Sequence, residues 1–325
     1  MKKMSIFTCP GLGDALWTIT KIPDMRRKLN PDKVNIVVQN TDFNRSDDFL
    51  LHFNFIDSVS YDDFDIHPEP IYFEPIYGNV PKPTDDYGRY IYCDSTGNFM
   101  GDPNSWLLIA NGHLERGHRL ETWYPEFETE IDIAKHYRMR EDEIEWAETF
   151  HLEQLNNRPF IVFYMGPLNG NTTLGHNRNG LWSLRNWYEV GNSLPSEYKI
   201  VIVGHQHDWQ YANLFMGSLS EFDRHWYINL CGQTEIGQCY ALIKRSKFLL
   251  SFQSGVGIFS AYMGHPTAIW WRPKGDSIST EYYLSFEEDM SHCWVPMEYI
   301  NKTYFPLIYS KQNPTQISQI INQFL

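Results

Sequence analysis

The segment with the clearest chemical potential lies near the N-terminus, where Gly11-Leu12-Gly13-Asp14 follows a short apolar run. Glycines let another molecule approach the backbone closely, and a carboxylate stands at the start of the predicted helix. The same aspartate is also a good N-cap for the helix predicted to follow, and the spacing alone favours the cap. The segment that contains Asp14 is therefore a candidate ligand-binding loop, with a helix cap as the structural alternative.

A second glycine-rich segment, Gln253-Ser254-Gly255-Val256-Gly257, stands between an apolar strand pattern and a helical pattern. In an open parallel sheet, ligands bind beyond the carboxyl ends of the strands, where amides at helix N-termini attract anions. We therefore expect this loop to wrap a diphosphate with main-chain N–H groups. It matches neither GxGxxG nor the P-loop pattern, which disfavours the chemistry of phosphate-transferring NTPases.

Two further patterns have the composition of metal sites. Asp63-Phe64-Asp65 has a form that can hold a divalent cation, but it lies in a proline-rich acidic stretch, and a solvated loop is the favoured interpretation. His205-Gln206-His207-Asp208 offers two imidazoles without an evident third ligand, so ordinary loop residues are favoured there as well. We predict neither a bound metal nor a resident cofactor.

Hydrophobic periodicity predicts an alternating series of elements around the first segment. Residues 4–9 read as a buried strand, 15–29 as one helix and 34–38 as the next strand. This order implies a parallel sheet with a right-handed crossover. Residues 58–92 are rich in proline, tyrosine and aspartate, and we expect long irregular loops there.

A second alternating series follows an acidic segment, residues 138–152, that predicts an exposed helix. Its predicted strands are 160–164, 200–203, 248–251 and 267–271, and its helices include 182–194, 237–245 and 258–263. Residues 315–324 predict a closing amphipathic helix. The fold class is thus α/β with two doubly wound parallel sheets, in domains over residues 1–155 and 156–310, with a C-terminal helix over 311–325.

Composition narrows the functional classes. A chain of 325 residues with 42% hydrophobic residues can bury two cores. The formal charge of -13 disfavours nonspecific binding to nucleic acid or anionic membranes. The 5 cysteines show no CxxC spacing, which predicts buried thiols in a reducing compartment. Pro10 and Gly11 interrupt the N-terminal apolar run, so we expect no signal peptide, no membrane span and a cytoplasmic location.

The order of several motifs resembles the heptosyltransferase family, glycosyltransferase family 9. Gly11-Leu12-Gly13-Asp14 near the N-terminus carries this resemblance together with later segments in the same order as in the family. These segments are 229–234 (NLCGQT), 241–243 (ALI), 254–255 (SG) and 261–267 (AYMGHPT). The resemblance covers both halves of the chain but not residues 42–130.

The resemblance implies a GT-B fold, in which two Rossmann-like domains face a cleft, and an inverting transfer of a sugar without a metal. Asp14 corresponds to the family's general base, beside an acceptor-side loop of Gly11, Leu12 and Gly13. The segment from Gln253 to Gly257 would hold the diphosphate of a nucleoside-diphosphate sugar. Asp208 matches the acidic residue that holds the ribose, and Thr234 lies in the base-pocket segment, where a plain turn residue is an equal alternative.

Three positions depart from the family pattern. Gln253 stands where the family usually has an aspartate, and Ile258 where it often has a histidine. The family's lysine before a tryptophan is missing ahead of Trp182, and Arg178 is the candidate to supply its positive charge. These differences argue against assuming ADP-heptose as the donor.

Two acceptors remain open, a bacterial surface glycan and a hydroxymethylated base in viral DNA. The negative net charge of the chain favours the glycan. For a viral protein the location would be the host cytoplasm. The span from His113 to Trp123 is a candidate acceptor-binding segment, with exposed loop packing as the favoured alternative. Two competing functions are an inactive nucleotide-sugar-binding protein and an epimerase of sugar nucleotides.

Overall fold

A computed structural model describes residues 3–8, 11–39, 47–62, 106–109, 127–130, 132–166, 183–252, 254–271, 307–309 and 313–325. They form two compact units, the first containing the described residues up to Arg138 and the second those from Met139 onward. These units are groups of residues that contact one another, which is not the same as domains that fold independently. The predicted domain boundary at residue 155 therefore stays a prediction.

The first unit contains a 4-stranded parallel sheet in the order β3-β2-β1-β4. Its strands are β1 (Lys3–Thr8), β2 (Lys33–Gln39), β3 (Ser58–Asp62) and β4 (Trp106–Ile109). The chain adds β2 and β3 on one side of β1 and then returns to place β4 on the other. The carboxyl end of β1 is therefore a switch point of the kind at which open α/β sheets bind ligands.

The single helix predicted over residues 15–29 is wrong, because two helices occupy this stretch. These are α1 (Leu12–Ile19) and α2 (Ile22–Leu29). Pro23 lies at the start of α2. Proline has no N–H group, and its ring clashes with the carbonyl four residues earlier, so a continuous helix through this position is disfavoured.

The remaining elements of the first unit were not predicted from the sequence. They are the short helix α3 (Asp47–Leu51), strand β4 and a 3-10 helix over Ile133–His136. Strand β3 also occupies the first residues of a stretch expected to be irregular, and that part of the expectation is wrong. Val59 and Tyr61 favour a strand, while the remainder of that stretch, residues 63–92, lies outside the described residues.

The second unit contains a 6-stranded parallel sheet in the order β10-β9-β8-β5-β6-β7. Its strands are β5 (Phe160–Tyr164), β6 (Lys199–Val203), β7 (Tyr227–Asn229), β8 (Leu249–Phe252), β9 (Thr267–Trp271) and β10 (Leu307–Tyr309). The four predicted strands are confirmed, while β7 and β10 were missed. The order is that of a Rossmann sheet, with the switch point between β5 and β8.

The helices of this unit follow the predicted alternation. They are α4 (Glu141–Glu153), α5 (Leu184–Asn192), α6 (Trp209–Ser218), α7 (Glu221–Arg224), α8 (Ile236–Arg245), α9 (Gly255–Tyr262) and α10 (Pro314–Asn322). The closing helix is confirmed as α10, whose Ile317 and Ile321 join the core that contains Trp187 of α5. Among the described helices, none is long and apolar enough to cross a membrane.

Helix α4 was expected to be exposed, which is wrong for one of its acidic residues. Glu143 is buried and accepts hydrogen bonds from the backbone N–H and from Nε of Arg140, at 2.8 and 2.7 Å. A Cβ atom on Gly237 would lie 2.0 Å from Glu143 Oε1. Because that position is glycine, α4 packs closely on the first turn of α8, and Arg140 compensates the buried charge.

Candidate functional site

The glycine segment of the first unit leads directly into α1. The helix begins at Leu12, and the Ala15 N–H donates to the Gly11 carbonyl at 2.9 Å. Asp14 therefore lies within the first helical turn, and its interpretation as the N-cap is wrong. A negative charge in the first turn of a helix is in general stabilised by the helix dipole. The side chain of Asp14 lies outside the described part of the structure, so its role as general base stays a prediction.

The second glycine segment is largely helical, which corrects the prediction of a loop over residues 253–257 and of a helix starting at Ile258. Helix α9 begins at Gly255, and Ser254 is its N-cap. The Ser254 hydroxyl accepts the Gly257 N–H at 3.2 Å and lies 3.1 Å from Ser251 Oγ. A Cβ on Gly257 would lie 2.7 Å from that Ser251 oxygen, so Gly257 serves packing rather than backbone freedom.

The cap decides which amides of this segment are available to a ligand. The Gly257 N–H is already satisfied by Ser254. Gly255 and Val256 occupy the first two helical positions, whose N–H groups have no acceptor within the helix. The helix dipole adds positive potential at the same end. This end of α9 follows β8 at the switch point of the sheet, where both the topology and the free first-turn N–H groups of a helix favour an anion.

Asp208 lies on the carboxyl edge of the same sheet, in the turn between β6 and α6. It is buried, and its Oδ2 accepts the His205 N–H at 2.7 Å. A Cβ on Gly166, which follows β5, would lie 2.4 Å from Asp208 Oδ1. A Cβ on Gly204, which follows β6, would lie 2.7 Å from Asp208 Oδ2. The carboxylate thus occupies a slot formed by two glycines.

Thr234 lies one loop further along this edge, between β7 and α8. Side chains brace this loop from both ends, since the Asn229 Oδ1 accepts the Cys231 N–H at 3.0 Å and the Gln233 amide donates to the Asn229 carbonyl at 2.8 Å. Glu235 and Gln238 form a capping box at the start of α8. Thr234 is half-buried directly before this cap, so both its nucleoside-binding interpretation and its turn interpretation stay predictions.

The loops after β6 and β7 contact each other at Gly232. Its N–H donates to the Gly204 carbonyl at 2.9 Å, and its φ of +71° is a conformation that favours glycine. A Cβ at this position would lie 2.2 Å from Gln206 Oε1. The two loops therefore form one continuous edge beside Asp208.

The histidines of the same turn do not point to a metal. The rings of His205 and His207 have centroids 4.6 Å apart, and the Asp208 carboxylate bonds the His205 backbone. Across the described residues, these three side chains do not form a cluster with all ligand atoms within 4.8 Å. Other predicted residues, namely Gln253, Arg178, Asp63, Asp65 and the span from His113 to Trp123, lie outside the described residues.

The motif over residues 264–267 forms the turn between α9 and β9. Gly264 has a φ of +71° after the helix, and Thr267 Oγ1 donates to the His265 carbonyl at 2.9 Å. The His265 Nε2 lies 3.0 Å from Ser246 Oγ. Burial lowers the pKa of His265 to about 4, so the ring is neutral near pH 7. The Ser246 hydroxyl is also within hydrogen-bond distance of the Ile243 carbonyl, at 2.7 Å, and of the Phe248 carbonyl, at 3.2 Å.

The two described cysteines are free and buried, as predicted. Burial first, and then the negative charge of Asp208, raises the pKa of Cys239 to about 12 and raises that of Cys231 as well. Thiols with a raised pKa stay protonated near pH 7 and are poor nucleophiles.

The sequence itself matches a known protein family. The profile of glycosyltransferase family 9 (heptosyltransferase) matches residues 106–269, just over half of the chain. The chain belongs to this family. It is therefore a glycosyltransferase, and the match runs from β4 into β9, so it includes the capped start of α9 and the edge around Asp208. No curated protein matches the sequence.

Solved structures agree with this assignment at the level of the fold. This glycosyltransferase is similar to E. coli ADP-heptose lps heptosyltransferase II, with 15% identity, a TM-score of 0.61, and coverage of 100% of this chain and 98% of that one. A family 9 glycosyltransferase from Veillonella parvula is also similar, with 12% identity and a TM-score of 0.58, over 99% of this chain and 97% of that one. E. coli heptosyltransferase WaaC with ADP has 12% identity and a TM-score of 0.53, over 99% of this chain and 100% of that one. The predicted GT-B fold is thereby confirmed.

Sequence reasoning missed several residues that shape this edge. Gly166 and Ser251 were not predicted as site residues, although Gly166 closely follows β5 and Ser251 lies near the end of β8, the two strands beside the switch point. A glycine that directly follows a continuous apolar strand signals a close approach to its backbone, and this signal could have identified Gly166. Nothing in the sequence indicates that the neighbour approaching it is Asp208.

Proposed function

We propose that this glycosyltransferase transfers a sugar from a nucleoside-diphosphate sugar to an acceptor hydroxyl, with inversion at the anomeric carbon and without a metal ion. The observation that carries the donor part is the start of α9. There, Ser254 caps the helix at the switch point of a Rossmann sheet, and the N–H groups of Gly255 and Val256 have no acceptor within the helix. The ADP bound to the similar WaaC structure supports a nucleoside diphosphate as the ligand class.

Asp14 is the proposed general base. It would take the proton of the acceptor hydroxyl as that oxygen bonds to the anomeric carbon from the side opposite the diphosphate. The support is its place in the first turn of α1, directly beyond the carboxyl end of β1 at the switch point of the first sheet. A positioned base of this kind contributes about 10²- to 10⁴-fold to the rate.

The leaving group is the nucleoside diphosphate, which takes the electron pair of the broken bond to the anomeric carbon. Gly255 and Val256 would donate N–H bonds to the charge that develops on it, with the adjacent Gln253 and the cation of Arg178 as further proposed contacts. Preorganised donors of this kind need no rearrangement during the reaction. The loops that contain Asp208 and Thr234 would hold the nucleoside beside them, along the carboxyl edge of β6 and β7.

The acceptor is proposed to be a bacterial surface glycan rather than hydroxymethylated DNA, because the formal charge of -13 repels a phosphate backbone. Gly11, Leu12 and Gly13 would line the acceptor side. A cytoplasmic reaction is also part of the proposal, supported by the free thiols of Cys231 and Cys239.

The test combines binding and turnover with a panel of nucleoside-diphosphate sugars. Thermal shift with the wild-type protein identifies the nucleotide, and ligand at a hundred times its dissociation constant adds about 2.7 kcal/mol of stability. Asp14→Asn is expected to keep that shift while transfer and slow donor hydrolysis fall by about 10²-fold or more. Asp142→Asn, a change on the exposed side of α4, is the matched control and should keep both.

Each arm has its own contrary result. The absence of a shift with every nucleotide would contradict the donor site. Full turnover by Asp14→Asn would contradict the base assignment while leaving the donor site intact. Turnover that is abolished by a chelator and restored by a divalent cation would contradict transfer without a metal.

A further inference from the structure

We infer that Ser251 is a positioning residue for the donor site. Its buried hydroxyl holds the first turn of α9 in the geometry that a diphosphate would need, without touching the donor. This inference rests on the proposed function, since it concerns how the α9 end of that same site is built. The residues that carry the family resemblance do not include Ser251.

Ser251 is a polar residue inside an apolar strand. It is the third residue of β8, between Leu250 and Phe252, and it is fully buried. A buried hydroxyl group without a hydrogen-bond partner costs free energy, so the bonds of Ser251 decide whether a serine is tolerated there. One of these bonds joins Ser251 Oγ to Ser254 Oγ at 3.1 Å. The strand is thereby linked directly to the N-cap of α9.

The same side chain is part of the surface on which the first turn of α9 packs. A Cβ on Gly257 would lie 2.7 Å from Ser251 Oγ, 3.0 Å from Ser251 Cβ and 3.3 Å from Ile269 Cγ1. Ser251 and Ile269 are paired in register on the neighbouring strands β8 and β9. The helix therefore begins directly over this pair, and Ser251 helps to set its distance from the sheet.

Both contacts of Ser251 act on the cap of α9. Ser254 Oγ accepts the Gly257 N–H at 3.2 Å while it shares a hydrogen bond with Ser251. A serine side chain has three staggered rotamers, and its partners select one of them. Ser251 thus favours the rotamer that caps the helix, and the cap fixes the N–H groups of Gly255 and Val256. Because Ser251 itself is fully buried, it acts on the donor only through this cap.

Calorimetric titration of matched variants with the preferred nucleoside diphosphate tests this role. Ser251→Ala should weaken binding about fivefold, the effect of losing one hydrogen bond. The control is Ser260→Ala, which removes another buried hydroxyl of α9, 2.9 Å from Thr267 Oγ1 on β9. Ser260 lies in the last turn of the helix, so this variant should lower the melting temperature without changing nucleotide affinity. Wild-type affinity in a folded Ser251→Ala protein, or an equal loss in Ser260→Ala, would overturn the inference.

A double variant separates positioning from general destabilisation. In Ser254→Ala the cap hydroxyl is already gone, so adding Ser251→Ala should weaken nucleotide binding no further, although the melting temperature falls again. A loss of affinity as large in this background as in the wild type would contradict the inference. If Ser251→Ala is too unstable to titrate, Ser251→Cys takes its place. Cysteine is a weaker hydrogen-bonding group, so a smaller loss in the same direction is expected.

Amide hydrogen exchange follows the same contact without any ligand. Ser251→Ala should speed the exchange of the Gly257 N–H about fivefold, because the acceptor of this bond is no longer held in place, and Ser260→Ala should leave it unchanged. Unchanged exchange at Gly257 in Ser251→Ala would also count against the inference. The proposed function fails instead if the wild-type protein binds no nucleoside diphosphate, and the exchange rates then still decide whether Ser251 holds the cap.

Discussion

At the scale of single residues, Ser254 has a structural task as the N-cap of α9, and the proposed function adds a second one. Its hydroxyl caps α9 by accepting the Gly257 N–H, and this bond leaves the two preceding amides for a ligand. Ser183 caps α5 in the same manner, with its hydroxyl 3.4 Å from the Asn186 N–H. The pair offers a matched comparison, because only one of the two capped helices begins at the proposed donor site.

We expect Ser254→Ala and Ser183→Ala each to lower the free energy of unfolding by about 1 kcal/mol, the usual cost of losing an N-cap. Only Ser254→Ala should also weaken the binding of nucleoside diphosphate, because the first turn of α9 then loses its fixed geometry. Denaturant unfolding and calorimetric titration measure the two effects. Equal effects of both variants on nucleotide affinity would show that α9 has no special part in binding.

His265 predicts an acid-dependent loss of stability. Burial lowers its pKa from 6.5 to about 4, so between these values the unfolded chain binds a proton that the folded chain does not. The free energy of unfolding is therefore unaffected by this histidine above pH 6.5. It falls as the pH is lowered toward 4, by about 1 to 3 kcal/mol. His265→Gln should flatten the pH dependence of the unfolding free energy in this window. The exposed His225→Gln is the control, and an unchanged slope in His265→Gln would contradict the assignment.

At the scale of elements, one close contact fixes α5 against the sheet. A Cβ on Gly191 would lie 2.1 Å from the Tyr227 hydroxyl and 2.8 Å from Ile200 Cδ1. We expect Gly191→Ala to destabilise the protein by about 1 to 3 kcal/mol through overpacking, despite the better helix propensity of alanine. Gly217 lies in a helix and meets no atom within 4 Å, so Gly217→Ala should be neutral or stabilising.

The same contact gives an internal check on that prediction. Tyr227→Phe removes the hydroxyl that opposes the new methyl group, so it should recover part of the stability lost in Gly191→Ala, as measured by thermal unfolding. Recovery should be incomplete, because Tyr227 Cζ would still lie 3.0 Å from the methyl group. Simple addition of the two single effects would contradict a direct contact.

Elements with strong apolar patterns could be predicted from the sequence, and those that depend on context could not. β5 and β9 have the predicted bounds because each is a continuous apolar run between loops. Short strands such as β7 and β10 carry too few residues for a periodic signal. The start of α9 was placed too late because its glycines suggested a loop, whereas Gly257 is required by the position of Ser251.

The candidate site was predictable in outline for a related reason. Sequence order placed Asp14, Ser254 and Asp208 after strands, and the parallel topology brings the ends of strands to one edge within each sheet. Which way a side chain faces depends on packing between loops distant in sequence. The enclosure of Asp208 by Gly166 and Gly204 is of that kind, so no local pattern could have indicated it.

At the scale of the whole molecule, two parallel sheets each place a candidate segment at a switch point. In the first unit this is the segment that contains Asp14, and in the second it is the start of α9. Membership of glycosyltransferase family 9 gives this duplication a reason, because the enzyme must bind both a donor and an acceptor. The central claim is that the donor diphosphate binds the N–H groups of Gly255 and Val256 at the start of α9.

Gly255→Pro tests this claim most directly, because it deletes one of those amides while preserving the helix. Proline is favoured at the first helical position, and Ser254, with φ -159° and ψ 159°, already has the extended conformation required before a proline. Calorimetric titration with the preferred nucleoside diphosphate should show at least about tenfold weaker binding by Gly255→Pro than by the wild type. The melting temperature should be unchanged. Gly255→Ala keeps the N–H group and should bind more tightly than the proline variant. Wild-type affinity in a folded Gly255→Pro protein would contradict the account.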